Sequence, residues 1–215
     1  MHYSLGVLIR RILRQIHVGL RFNIAKFGQR SRRKTLLPML LAAEDLPSPH
    51  WKMIKDVALR PGFVGVCDEA EFRARKADST LAVRAYEEVK EARWLTLRVL
   101  PLASTDDALF WSSNVKERAM NRRTSPRNIT RESADEIVGM SDVGVLKGFG
   151  FEFTDESSGV HYFVKLTSGC VGKVGFDVRL MAKEDKLLWG DVTSIAALQG
   201  HRIREVLDVQ ESPNP

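Results

Sequence analysis

Residues 160–181 read VHYFVKLTSGCVGKVGFDVRLM, and two apolar alternations lie within them. Val160, Tyr162, Val164 and Leu166 fall on one side of an extended chain. Val174, Phe176, Val178 and Leu180 do the same in the next run, the period-two pattern of half-buried strands. Ser168-Gly169 between them suggests a tight hairpin. That loop pairs Val164 with Lys173 and Tyr162 with Gly175, which puts the two apolar sets on opposite faces. Because a one-residue slip turns over every side chain, the pattern predicts a bulge in this hairpin, with Gly172 or Gly175 as the extra residue. After a polar break at Lys183 to Lys186, Asp191 offers a cap for a helix. Its apolar positions Val192, Ile195, Ala196, Leu198, Ile203 and Val206 recur at three- and four-residue steps, so the helix should lie on the sheet.

Toward the N-terminus the same alternation recurs. Val143, Val145, Phe149, Phe151 and Phe153 line one side of a long strand, with Gly144, Gly148 and Gly150 on the other, where a helix or a ligand can approach the backbone. Leu81, Val83 and Ala85, then Leu95, Leu97 and Val99, make two runs joined by a charged turn at Glu87 to Glu91. A connection that short suits antiparallel pairing. Trp51, Met53, Val57 and Leu59 alternate as a first strand that stops at Pro61-Gly62. Ser104 is a good N-cap, with Asp106 and Asp107 in the first turn, and Ala108, Trp111, Ser112, Val115 and Ala119 share one face of a helix to about Asn121. The fold class is therefore α+β: an antiparallel sheet of about six strands with two helices packed on it. Residues 36–207 form a single domain, preceded by an arm at 1–35 and followed by a polar tail at 208–215 expected to fray.

The net charge of +6 is unevenly placed. Residues 1–34 hold nine Arg or Lys and no acid, so the remainder is slightly acidic. In the arm, Leu5, Leu8, Ile9, Ile12, Leu13, Ile16 and Leu20 oppose Arg10, Arg11, Arg14, His17 and Arg21, an amphipathic basic helix. Three readings compete: a helix lying on an anionic membrane surface through Arg10, Arg11, Arg14 and Arg21, a helix packed on the body or a partner protein, and a poorly ordered extension. Charge interrupts the stretch too often for a bilayer span, and it lacks the apolar core and cleavage site of a secretory signal. The expected location is cytoplasmic, peripheral to the inner membrane surface. Two cysteines, Cys67 and Cys170, form no metal or redox spacing and are either free or bridged.

No catalytic or cofactor motif emerges. The five histidines make no ligand pairs, so no metal is expected. Gly148-Phe149-Gly150 lacks the third glycine of a dinucleotide fingerprint, and neither a phosphate loop nor a nucleophile elbow occurs. No cofactor is expected. Arg118, Arg122, Arg123, Arg127 and Arg131 make a basic segment read as a solvated helix end and loop, with phosphate binding as the alternative. The tryptophans at 51, 94, 111 and 189 read as core, or as the lining of an apolar pocket between helix and sheet. That candidate ligand pocket comprises Trp111, Phe149, Phe151, Tyr162 and Trp189.

Val99-Leu100-Pro101-Leu102-Ala103-Ser104, running into Asp106-Asp107-Ala108 and Trp111, resembles the strand-to-helix junction of small actinobacterial lipoproteins and of the extracellular sensor-like domains of some serine/threonine kinases. Trp189 through Gln199 to Arg202-Ile203 resembles their closing helix. The resemblance implies a fold similar to photosystem II oxygen-evolving subunit P and a non-catalytic role in binding ligands or partner proteins. The chain departs from it in two ways: no signal or lipobox is present, and although Cys170 resembles a disulfide position, no cysteine follows the Ser104 helix to partner it. The expected function is a non-enzymatic ligand- or protein-binding module, with its arm as the candidate membrane contact. The alternatives are a nucleic-acid binder using the arm and the Arg122 to Arg131 loop, and an enzyme of unfamiliar type.

Overall fold

The computed structural model describes residues 34–59, 80–120, 129–133, 139–141 and 144–211. Its centre is one antiparallel sheet built from β1 (Trp51–Leu59), β2 (Leu81–Glu88), β3 (Arg93–Pro101), β4 (Ile129–Ser133), β5 (Gly139–Ser141), β6 (Gly144–Thr154), β7 (His161–Val171) and β8 (Val174–Ala182). The order across the sheet is β1-β2-β3-β8-β7-β6-β4, with β5 paired to β6. The six strands legible as alternations are all present, and the short β4 and β5 extend the sheet on the β6 side. The described chain also holds the α-helices α1 (Thr105–Ser113), α2 (Val115–Ala119) and α3 (Trp189–Glu211), and two short 3-10 helices, Leu37–Met39 and Ala43–Asp45, ahead of β1.

The β7–β8 hairpin turns at Gly172-Lys173, not at Ser168-Gly169, because Val171 pairs with Val174. Gly172 has φ +54°, the positive value that the first residue of a tight hairpin loop adopts and glycine accepts without strain. Pairing then runs unbroken to Phe163 opposite Ala182, so the predicted bulge is absent. Leu166 lies opposite Arg179 and Thr167 opposite Val178, which leaves the two apolar sets on opposite faces. The conflict is resolved by covering both faces. The bulge premise assumed one buried face, and that premise fails.

On one face, α3 brings Val192, Ile195, Ala196 and Ile203 against Leu95, Leu97, Val99, Phe176, Val178 and Leu180. The other face carries Phe149, Phe151, Phe153, Tyr162, Val164 and Leu166, packed with Val115 and Ala119 of α2. It also carries Leu81, Val83 and Leu100, packed with Ala108 and Trp111 of α1. Each fully buried side chain of this size contributes about 1.5–3 kcal/mol of burial. The register shift occurs instead in β1, between Met53 and Lys55. It sends Trp51 to the α3 face and Val57 to the α1 face, although simple alternation groups them together.

The Ser104 cap forms as expected: its Oγ accepts from the Asp107 N–H at 3.1 Å. The helix after it does not run continuously to Asn121. It breaks at Asn114 (φ −95°, ψ 38°), whose Nδ2 donates to the Phe110 carbonyl at 2.7 Å, the local backbone competition that disfavours Asn inside helices. α3 starts at Trp189, so Asp191 lies in its first turn rather than capping it. The helix extends four residues past Leu207, into the segment read as tail.

Residues 36–46 strap α3 to the sheet. Gln199, fully buried, donates from Nε2 to the Met39 carbonyl at 2.5 Å and accepts from the Leu41 N–H at 3.3 Å. Tyr86 donates to the Leu41 carbonyl at 2.6 Å. Replacing Gln199 with Leu should cost about 2–3 kcal/mol in urea unfolding, because two buried backbone groups lose their partners; a loss below about 0.5 kcal/mol would show that the strap does not depend on them. Residues 1–33 of the basic arm, the segment holding Cys67, and Arg122 to Arg127 lie outside the described residues, as do the side chain of Arg131 and the readings attached to all of these.

Candidate functional site

The α1 face is where chemistry-bearing side chains gather. Cross-strand pairing places Arg98, Asp177 and Ser168 beside one another on β3, β8 and β7. The next row holds Thr96, Arg179 and Leu166. Lys55 and Ala85 continue that row on β1 and β2. Trp94, Met181 and Val164 form the row beyond, with Glu87 opposite Trp94.

Arg118 of α2 closes the first row from above. Its Nη1 and Nη2 donate to the two carboxylate oxygens of Asp177 at 2.8 and 2.9 Å, Nη2 also donates to Ser168 Oγ at 2.8 Å, and Nε donates to the Trp111 carbonyl at 3.0 Å. The guanidinium stacks on the Trp111 ring, 3.6 Å from its centroid. Both side chains of this fork are almost fully buried. Burial alone would raise the Asp177 pKa, but Arg118, with Arg98 at 3.4 Å, holds it below the usual carboxylate range. The pair is a structural clamp, fully satisfied.

Arg179 is different. It lies deep among Trp94, Leu166 and Phe151, its Cζ 5.6 Å from the Phe151 centroid, and its Nε is buried without a hydrogen-bond partner. Burial, with Arg98 alongside and Asp177 opposing, pushes its pKa down to about 10. By accessible surface the residue is only half-buried. Lys55 repeats the pattern: its Nζ is buried and unpartnered, and burial lowers its pKa. The indole N–H groups of Trp94 and Trp111 and the Tyr162 hydroxyl are also buried without partners.

Of the five residues expected to line a pocket, Trp111, Phe149, Phe151 and Tyr162 share this face. Trp189 does not. It opens α3 on the far side of the sheet, where Lys165 Nζ sits 4.9 Å from its ring centroid. Phe149 stacks on Phe151 at 5.8 Å, Phe153 stacks on Tyr162 at 5.2 Å, and Tyr162 meets Trp94 edge-on at 6.0 Å, an aromatic ladder rather than an empty chamber. Arg98, Asp177, Arg179 and Lys55 were missed because they occupy the polar half of each alternation, which a one-faced sheet exposes to water. The signal was there in Phe176-Asp177-Val178-Arg179-Leu180: an acid and a base two apart on a strand whose neighbours are apolar on both sides.

Two further polar groupings are accounted for locally. His161 Nδ1 lies 3.1 Å from Thr154 Oγ1 and its Nε2 3.3 Å from Glu152, a hydroxyl, imidazole and carboxylate in line. They zip the ends of β6 and β7 on the α3 face, and over a third of the imidazole is exposed. Cys170 is a free thiol; burial pushes its pKa up, against a hydrogen bond with Ser112. An open groove of about 740 Å³ beside the strap is lined by Lys34, Leu37, Pro38, Leu40, Ala42, Arg84 and Arg202. Its two arginines hold strap carbonyls: Arg84 those of Leu40 and Leu41, Arg202 that of Pro38. Among the described residues no three His, Cys, Asp or Glu cluster as metal ligands, and no helix is long and apolar enough to cross a membrane.

No protein-family model matches this chain, and no curated protein matches it. Among solved structures, the chain is similar to the extracellular domain of PknH from Mycobacterium tuberculosis, at 10% identity over 78% of this chain and 93% of that one, with a TM-score of 0.47. PknH's domain is of the kind that the Val99 to Trp111 junction resembles. At this level of likeness nothing of that protein's function passes to this chain. Because the similar structure is an extracellular domain, the expectation of a cytoplasmic protein peripheral to the inner membrane surface is withdrawn.

Proposed function

We propose that the protein is a non-enzymatic binding module that takes a small ligand on the α1 face of its sheet. One observation carries this reading. Six polar side-chain atoms among the described residues are buried without a partner, and five of them, on Lys55, Trp94, Trp111, Tyr162 and Arg179, belong to this face. All five groups are hydrogen-bond donors. An unsatisfied buried donor costs roughly 1–3 kcal/mol, so a concentration of them on one face is a place where an acceptor-bearing ligand gains more than water can offer.

Mass spectrometry of the small molecules released on denaturing the purified full-length protein tests this. A compound recovered in near-stoichiometric amount from the native sequence, and depleted from Thr96→Phe, which sets a bulky ring directly opposite Arg179, supports the reading. Identical extracts from two proteins of equal thermal stability would remove it.

A further inference from the structure

We infer that the ligand carries an oxyanion, a carboxylate or a phosphate, and that Arg179 is the residue that receives it. This deepens the binding-module reading and rests on it. The five orphaned groups are donors, the complement of an acceptor-rich ligand, and two of them, Lys55 and Arg179, are cations. Asp177, the carboxylate nearest Arg179 on the face, is held by both arms of the Arg118 fork, so Arg179 does not share it on equal terms.

The register sets the surroundings of the guanidinium. Thr96, directly opposite Arg179 on β3, offers a hydroxyl, and Trp94, next along the same side of that strand, offers its indole N–H. Between Arg179 and Lys55 the row holds only Thr96 and Ala85, two side chains much shorter than the cations on either side. Arg98 adds positive potential from the adjoining row. A planar guanidinium in low dielectric binds an oxyanion in bidentate fashion and more strongly than the same pair in water. The aromatic walls then select against a heavily hydrated simple ion in favour of an acid with an apolar body.

Isothermal titration of the full-length protein provides the test, with sodium phosphate and sodium benzoate in separate arms and sodium chloride matched for ionic strength. The expected result is saturable binding in one of the two arms, which decides between phosphate and carboxylate. That binding should weaken at least tenfold in Arg179→Met and remain unchanged in Lys173→Met, a substitution in the exposed hairpin turn. Should Arg179→Met fail to fold, Arg179→Lys keeps the charge, loses the fork and is expected to bind at least threefold more weakly. Unchanged affinity in a folded Arg179 variant overturns the assignment. Heat in neither arm, while the denatured extract still yields a compound, overturns the oxyanion and leaves the binding module standing; heat in neither arm with an empty extract removes both.

Discussion

Replacing Arg118 with Met should lower the unfolding free energy by about 3–5 kcal/mol, the loss expected when one partner of a buried ion pair is removed and the other stays buried. Arg118 makes four hydrogen bonds to Asp177, Ser168 and the Trp111 carbonyl, and Asp177 is wholly inaccessible. Urea unfolding at neutral pH measures the change, and a loss under 1 kcal/mol would mean that the carboxylate finds relief elsewhere. The double variant Arg118→Met, Asp177→Asn should recover part of the loss by removing the stranded charge. The same pair gives the native protein an acid limb. The folded Asp177 pKa lies below its ordinary value of 3.8, so its contribution is complete above about pH 4 and drains away as the pH falls through the lower folded value. In Arg118→Met only Arg98, at 3.4 Å, remains to oppose the burial, so the Asp177 pKa is expected to rise relative to the native protein. That variant should therefore gain stability, relative to the native protein, as the pH is lowered toward 4.

A comparable loss, about 3–5 kcal/mol, should follow Trp111→Ala. The ring is completely buried and lies directly over Gly175, where an added Cβ would come 2.6 Å from Trp111 Cε3. Gly175→Ala alone should cost about 1–3 kcal/mol through overpacking. The two substitutions share one space, so together they should cost less than their sum, and a double-mutant cycle measures the difference. Strict additivity would show that the ring and the glycine do not constrain each other. Trp111 also supports Arg118 through its carbonyl and its ring face, so the ring, the glycine and the ion pair form one clamp holding α1 and α2 to β8.

How far the sequence could be read depends on which rule each residue obeys. Alternation found β1, β2, β3, β6, β7 and β8, because a strand with one apolar side declares itself regardless of its partners. Ser104 declared its helix start through local hydrogen bonding. Asn114 was passed over, since helical spacing of Trp111, Val115 and Ala119 continues across a break that only the backbone reveals. Register was the larger difficulty. Val164 and Val178 were forced toward a common face by the assumption of a single buried side, and the bulge that this demanded was placed in β7–β8 rather than in β1, where Lys55 moves to the α1 face. The same assumption hid the site: Asp177 and Arg179 look like solvent-facing residues until α1 and α2 are known to lie above them. Four of the five aromatics proposed as pocket lining share one face, Trp111 in a separate cluster from Phe149, Phe151 and Tyr162, and setting Trp189 apart from them required knowing which side of the sheet α3 covers.

The strand order has a consequence for how the chain reaches this state. β1, β2 and β3 lie side by side in chain order, and β6, β7 and β8 form a second antiparallel meander, while among the described strands the two sets join only where β3 pairs with β8, from Arg93 opposite Ala182 to Pro101 opposite Val174. Local hairpins close in microseconds, whereas joining segments this distant in sequence bears the loop-closure entropy of everything between them. Folding is therefore expected to be limited by the docking of two preformed halves, with the rate set by β3–β8 contacts such as Leu97 and Val178 rather than by either turn. In stopped-flow refolding, Val178→Ala should slow folding, whereas Gly172→Ala should mainly speed unfolding; the opposite pattern would place the nucleus in the β7–β8 hairpin.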